Sequence, residues 1–149
     1  MAFILDLASS NSVWSGEKYY NEKRVVDWEQ TGPETYSGTV QGTELYHIHL
    51  DLGHPRRSTC DCPFAAGRRV ICKHMVALYF TVIPGSLEAY LNHLQELMDE
   101  AEKADEEHKK QRRKELEQYV NSLSKGELRE SLLSLLIAQE EWEDERRYW

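Results

Sequence analysis

The sequence predicts an α+β fold: a small three-stranded antiparallel sheet, a loop rich in metal-ligand side chains, a helix, and then an α-helical C-terminal extension. Three observations predict it. Residues 24–52 fall into short runs of alternating polarity separated by Gly and Pro. All three cysteines lie in the stretch Cys60–His74, each one residue away from another cysteine or a histidine. Beyond Pro84-Gly85-Ser86 the apolar residues recur at helical spacing.

The segments follow in order. Residues 2–8 are a short apolar stretch, predicted as a helix ending near Ser9-Ser10-Asn11. Trp14, Tyr19 and Tyr20 are expected to pack on the sheet. The first strand is read over 24–30, with Val26 and Trp28 on one face, and is broken at Thr31-Gly32-Pro33. The second covers 34–40 and ends at Gln41-Gly42-Thr43. The third, 44–52, carries the clearest period of two: Tyr46, Ile48, Leu50 and Leu52 face one way, Leu45, His47, His49 and Asp51 the other. Period-two runs joined by short turns argue an antiparallel meander. His47 and His49 share a face and could bind metal, but exposed polar positions on a half-buried strand are the favoured reading. Residues 53–59 form a turn-rich lead into Cys60.

Cys60, Cys62, Cys72 and His74 are the candidate metal ligands. Side chains two apart on an extended strand point to one face, so Cys60 and Cys62 can aim at one ion from a strand end, where Pro63 helps to stop the strand. The nine residues Pro63–Ile71 include Ala-Ala-Gly, small enough for a loop that folds back. Met75–Phe80 reads as a buried helix. Residues two apart on a helix point roughly 200° apart, so Cys72 belongs before the first turn and His74 inside it. Two other readings exist, small buried hydrophobes or a disulfide. An odd thiol count suits a disulfide framework poorly, and the apolar surroundings supply no thiolates, whereas a metal does. A tetrahedral Cys₃His site for one zinc is therefore favoured.

The residues Cys60-Asp61-Cys62-Pro63 and Cys72-Lys73-His74-Met75-Val76-Ala77 resemble the SWIM zinc finger, with its CxCP…CKHxxA signature. Gly16-Glu-Lys-Tyr19-Tyr20 followed by Val25 is similar to the lead-in of bacterial members, so the resemblance covers roughly residues 12–82. Ser124-Lys-Gly-Glu127-Leu128 is similar to a short helical tail in some of them. The resemblance implies a βββ-finger-α unit, placed at residues 1–83 with the N-terminal helix, and a charged helical extension over 84–149. It also implies an accessory protein-interaction or DNA-binding module in DNA transactions, with a Snf-type helicase ATPase or another DNA-processing protein as partner. The chain carries no helicase segment, so that partner is expected on a separate polypeptide.

Four protein ligands leave no open coordination position, and catalytic zinc normally keeps one. No HExxH-type base accompanies the ligands. The zinc is accordingly read as structural and the chain as no enzyme. Arg56, Arg57, Arg68, Arg69 and Lys73 cluster around the ligands as candidate nucleic-acid or partner contacts. Phosphate contact dominates nucleic-acid affinity. The alternative is local: zinc with three thiolates carries net −1, and nearby bases stabilise it without any ligand.

The net charge of −8 is unevenly spread. Residues 1–87 hold 9 acids and 8 bases, residues 88–149 hold 17 and 10, so the extension supplies nearly all of the excess. That acidity argues against a general nucleic-acid binder and keeps a pure protein-interaction role, or a homodimer through the C-terminal helices, open beside the nucleic-acid reading. Thiols reserved for metal imply a cytoplasmic setting. The apolar start contains Asp6 and lacks a basic segment, so it is not read as a signal peptide. The longest apolar run, Met75–Ile83, is far short of the roughly 20 residues that span a bilayer.

In the extension, Ser86 is expected to cap a helix with Leu87, Tyr90, Leu91, Leu94, Leu97, Met98 and Ala101 along one side. Residues 99–115 are charged almost throughout, a solvated helix or a flexible linker. An apolar stripe returns at Leu116, Tyr119, Val120 and Leu123. Ser124 and Glu127 form a capping box that opens the last helix, lined by Leu128, Leu132, Leu135 and Leu136.

Overall fold

A computed structural model describes residues 4–147. They resolve into two compact units, one up to Leu94 and one from Gln95.

In the first unit a 3-10 turn over Ile4–Leu7 precedes helix α1, Ser10–Asn21. The expected helix over 2–8 is thus replaced by a single turn, and residues 2 and 3 lie outside the described residues. The Ser-Ser-Asn run starts a helix instead of ending one. Ser9 is extended and its Oγ accepts a hydrogen bond from the Ser12 amide at 3.1 Å, satisfying a donor the first turn leaves free. Ser12, Val13 and Gly16, at helical spacing, form the buried face of α1.

Strands β1 (Val25–Gly32), β2 (Thr35–Gln41), β3 (Leu45–Asp51) and β4 (Thr59–Cys60) form an antiparallel meander in the order β1-β2-β3-β4. The sheet therefore has four strands, not three. The fourth is only two residues long and pairs Cys60 with Ile48 and Thr59 with His49. The alternation expected of β3 is present, with Tyr46, Ile48 and Leu50 buried and Leu45, His47 and His49 exposed. In β1 the register shifts between Val25 and Asp27. Val25 consequently packs on the core while Val26 is 60% exposed, so Val26 does not share the inner face with Trp28.

Helix α2, Lys73–Val82, lies on the inner face and is buried along nearly its whole length, as its unbroken apolar run requires. Met75, Val76, Leu78 and Phe80 meet Val40, Ile48 and Leu50 in one core. Trp14, Tyr19 and Tyr20 sit on α1. Tyr19 faces His74 and Tyr20 packs edge-on to Phe80, both residues of α2, while Trp14 is exposed. The expected packing on the sheet is replaced by packing on α2, because α1 presses against that helix.

Helix α3, Ser86–Ser122, runs unbroken for 37 residues. Gly85, at φ +77°, makes the turn before it, and the Ala89 amide donates to the Gly85 carbonyl at 3.0 Å. Ser86 does not cap: it lies inside the first turn and its buried Oγ has no partner among the described residues. The charged stretch 99–115 is helical, and ion pairs three or four residues apart, Lys110 with Glu107 and Arg113 with Glu117, run along it. Helix α4 covers Lys125–Arg147. Its capping box forms as expected. The Ser124 amide donates to Glu127 Oε2 at 2.7 Å and the Glu127 amide to Ser124 Oγ at 3.3 Å. No helix among the described residues is long and apolar enough to cross a membrane.

Candidate metal centre

Two elements deliver the ligands. Strand β4 places Cys60 on the inner face of the sheet, and Cys62 follows two residues later on the same side. The Cys62 carbonyl then accepts from the Ala65 and Ala66 amides at 3.1 and 2.9 Å, turning the chain back. Gly67, at φ +70°, continues that turn in a conformation that glycine adopts without strain. The chain returns along Ile71, which bridges to Ala8, and enters α2. Cys72 is the N-cap of that helix, with φ −92° and ψ 168°, and its side chain caps no amide. Its sulfur is thus free for other use. His74 lies within the first turn.

All four residues are buried, and one ligand atom from each lies within 4.8 Å of the others. His74 Nδ1 stands 3.9 Å from Cys60 Sγ and 3.8 Å from Cys72 Sγ. A tetrahedral zinc with bonds of about 2.3 Å to sulfur and about 2.0 Å to nitrogen needs separations of about 3.5–3.8 Å. The cluster therefore fits one structural zinc ion after a contraction of a few tenths of an ångström at His74 and of up to about 1 Å between the most widely spaced ligand atoms. The donor chemistry agrees. The thiol hydrogen bond from Cys60, with help from His74, pulls Cys72 down to about 4, while that same bond and burial push Cys60 far up. Burial, then the charge at Cys72, pushes Cys62 up. Unaided, the pocket stabilises one thiolate; a dication is what lets it hold three.

Two residues beside the ligands, Asp61 and Tyr46, were not legible as site residues. Asp61, between two ligands, points the opposite way and clamps the knuckle to β3. The His47 amide donates to Asp61 Oδ1 at 2.8 Å, and His47 Nδ1 lies 3.1 Å from Asp61 Oδ2. Burial tends to raise the Asp61 pKa, but the bond from the His47 amide and then the His47 ring outweigh it, and the net shift is downward. His47 is thus exposed, as expected, yet holds the finger in register. Tyr19 and Tyr46 flank the His74 ring at centroid distances of 5.4 and 4.7 Å. We expect Asp61→Ala to lower stability by about 1 kcal/mol, the pair being exposed, or several degrees in Tm. Zinc stoichiometry is expected to stay intact; loss of the metal would show that the clamp is part of the site.

Arg56, Arg57, Arg68 and Arg69 come together. They line one groove of about 800 Å³ beside Cys60, and no carboxylate contributes to its lining. All four are exposed, and none makes an ion pair among the described residues. Arg68 stacks on Phe64 and donates to the Phe64 carbonyl at 3.2 Å, which fixes its direction. Lys73 stands apart from this groove. Its Nζ lies 4.8 Å above the Tyr19 ring, which Arg24 also contacts.

Fold and site together define a small zinc-finger domain, in which a strand-end knuckle and a helix N-terminus close one structural metal site. The finger is a SWIM zinc finger: residues 46–83 match that family's model. The match takes in β3, the whole ligand stretch and α2. No curated protein and no solved structure matches the chain.

Proposed function

We propose that the chain is an accessory, non-catalytic module of DNA transactions, in which the zinc-held loop presents a basic groove to nucleic-acid phosphates. The observation that supports this is the groove: four arginines from both sides of the knuckle, Arg56 and Arg57 before it and Arg68 and Arg69 after, line one concavity with no acid among them. Neutralising a zinc–thiolate charge of −1 needs one base, not four. The partner class is a DNA-processing protein such as a Snf-type ATPase, in the cytoplasm. The acidic extension is kept for protein contact, which leaves phosphate contact to the finger.

The test is binding of the zinc-loaded protein to short single- and double-stranded DNA over a salt series. Engagement of three or four phosphates gives a log–log salt slope of about −3. Arg68→Glu/Arg69→Glu is expected to weaken binding on the order of 100-fold, while Lys73→Glu, outside the groove, changes it little. No binding at low salt would overturn the nucleic-acid reading and leave a protein-interaction module. That second reading is supported by the apolar residues that α4 exposes, Leu132, Leu133, Leu135 and Leu136.

A further inference from the structure

Helix α3 carries charge in two blocks of opposite sign. Residues 99–107 hold six acids and one lysine; residues 108–114 hold five bases, one histidine and no acid. At about 100° per residue, Met98, Glu102, Asp105, Lys109, Arg112, Leu116 and Val120 fall on a single face. That face is apolar at both ends and charged in the middle, acid first and base second. Its apolar members Met98, Leu116, Tyr119 and Val120 are all exposed, Met98 at 66%. By sequence spacing Leu91 and Leu94 extend it at one end and Leu123 at the other.

We propose that this face is a self-association surface, and that its occupant is α3 of a second copy of the chain, running antiparallel about a two-fold axis that crosses the face at the level of Glu107, whose own side of the helix points away. Residues equidistant from Glu107 then lie at the same level on the two helices. Met98 of one copy meets Leu116 of the other, and Leu94 meets Val120. The acids Glu102, Asp105 and Glu106 of one copy come against the bases Lys109, Arg112 and Arg113 of its partner, and the two-fold axis makes every contact twice. A parallel pair would put acid on acid and base on base, which charge patterning of helix pairs excludes.

The competing occupant is α4, folded back on α3 about the Leu123–Ser124 junction, midway between the end of α3 at Ser122 and the start of α4 at Lys125. That hairpin would set Glu140, Glu141 and Glu145 against Glu107, Glu106 and Glu102, acid on acid. It would also leave the basic block opposite Leu133–Ala138, a stretch without a carboxylate. Only a second α3, inverted, supplies both apolar ends and both charge blocks.

The test uses the full-length zinc-loaded protein in sedimentation equilibrium. The wild type is expected to be a concentration-dependent dimer. Lys109→Glu/Arg112→Glu/Arg113→Glu, and separately Glu102→Lys/Asp105→Lys/Glu106→Lys, are each expected to raise the dissociation constant on the order of 100-fold. An equimolar mixture of the two variants should dimerise again, which shows that neither is merely misfolded. Orientation is read from Met98→Cys and Leu116→Cys. The mixture of these single variants should cross-link on oxidation, and neither should cross-link alone. A monomeric wild type, a mixture that stays monomeric, or cross-linking by each cysteine variant alone would overturn the proposal.

Discussion

Cys72→Ser is expected to abolish stoichiometric zinc and to unfold the finger, with His74→Ala doing the same. The structure places Cys72 in the ligand cluster and at the N-cap of α2 at once, where its side chain caps no amide; serine suits an N-cap, so the expected loss is that of the thiolate. Structural zinc contributes about 10–16 kcal/mol of binding energy in isolated fingers, and a whole domain is stable by only about 5–15 kcal/mol. A change that loses the metal therefore removes more than the fold holds in reserve. The expected result is loss of fixed near-ultraviolet signal and of ordered structure over residues 60–82. The helical far-ultraviolet signal of the extension should persist, because α3 and α4 hold their own backbone hydrogen bonds and ion pairs and supply no ligand to the finger. Chelation of zinc from the wild type should reproduce this. Retention of one zinc per chain by either variant would count against the ligand set.

Gly16→Ala is expected to destabilise the first unit by about 3 kcal/mol, where a surface helix position would gain. Alanine is favoured over glycine inside a helix by about 1 kcal/mol. At Gly16, however, a Cβ would stand 2.5 Å from Val76 Cβ and Cγ1 and 2.9 Å from the Lys73 carbonyl. Those atoms belong to a β-branched side chain and a backbone, neither of which can swing away, and overpacking of this kind costs about 1–3 kcal/mol or more. The clash wins over propensity. Because Val76 follows His74 by two residues, the helix that would have to move is the one that carries the fourth ligand. Urea midpoints for Gly16→Ala, Val76→Ala and the double variant would measure this. Partial recovery in the double variant is expected; a simple rise in stability on Gly16→Ala would refute the close approach.

The parts of this molecule that were legible in the sequence are those with a strong period or a strong chemical signature. The alternation of β3 survives in its burial because one face meets α2 and the other meets water. The four ligands announce themselves because thiols and imidazole two apart have few other uses. The Ser124–Glu127 box is a local hydrogen-bond pattern and needs no tertiary context. What was not legible depends on distant partners. Strand β4 exists only because β3 offers it an edge, and two residues carry no period. The bulge beside Val26 is a matter of register between strands. Ser9 could end or begin a helix, and the docking of Val13 and Gly16 on α2 decides that it begins one. The continuity of α3 could have been read from its acid and base residues four apart, such as Asp105 and Lys109, which the structure pairs. The meeting of four arginines in one groove follows from the loop closing around the metal, which no spacing along the chain conveys.

Each strand pairs with its neighbour in sequence, and the metal ligands all fall between Cys60 and His74, so these parts need only short loops to close. Helix α1 is different: it ends at Asn21, and its partner α2 begins only at Lys73. During synthesis α1 leaves the ribosome well before the surface it must cover exists, and that surface is fixed when the ion is captured at the start of α2. Metal uptake therefore times the docking of the N-terminus. In a zinc-starved cell the newly made chain would display α1, with Val13 and the bare backbone at Gly16, as an uncovered flank open to chaperones and proteases.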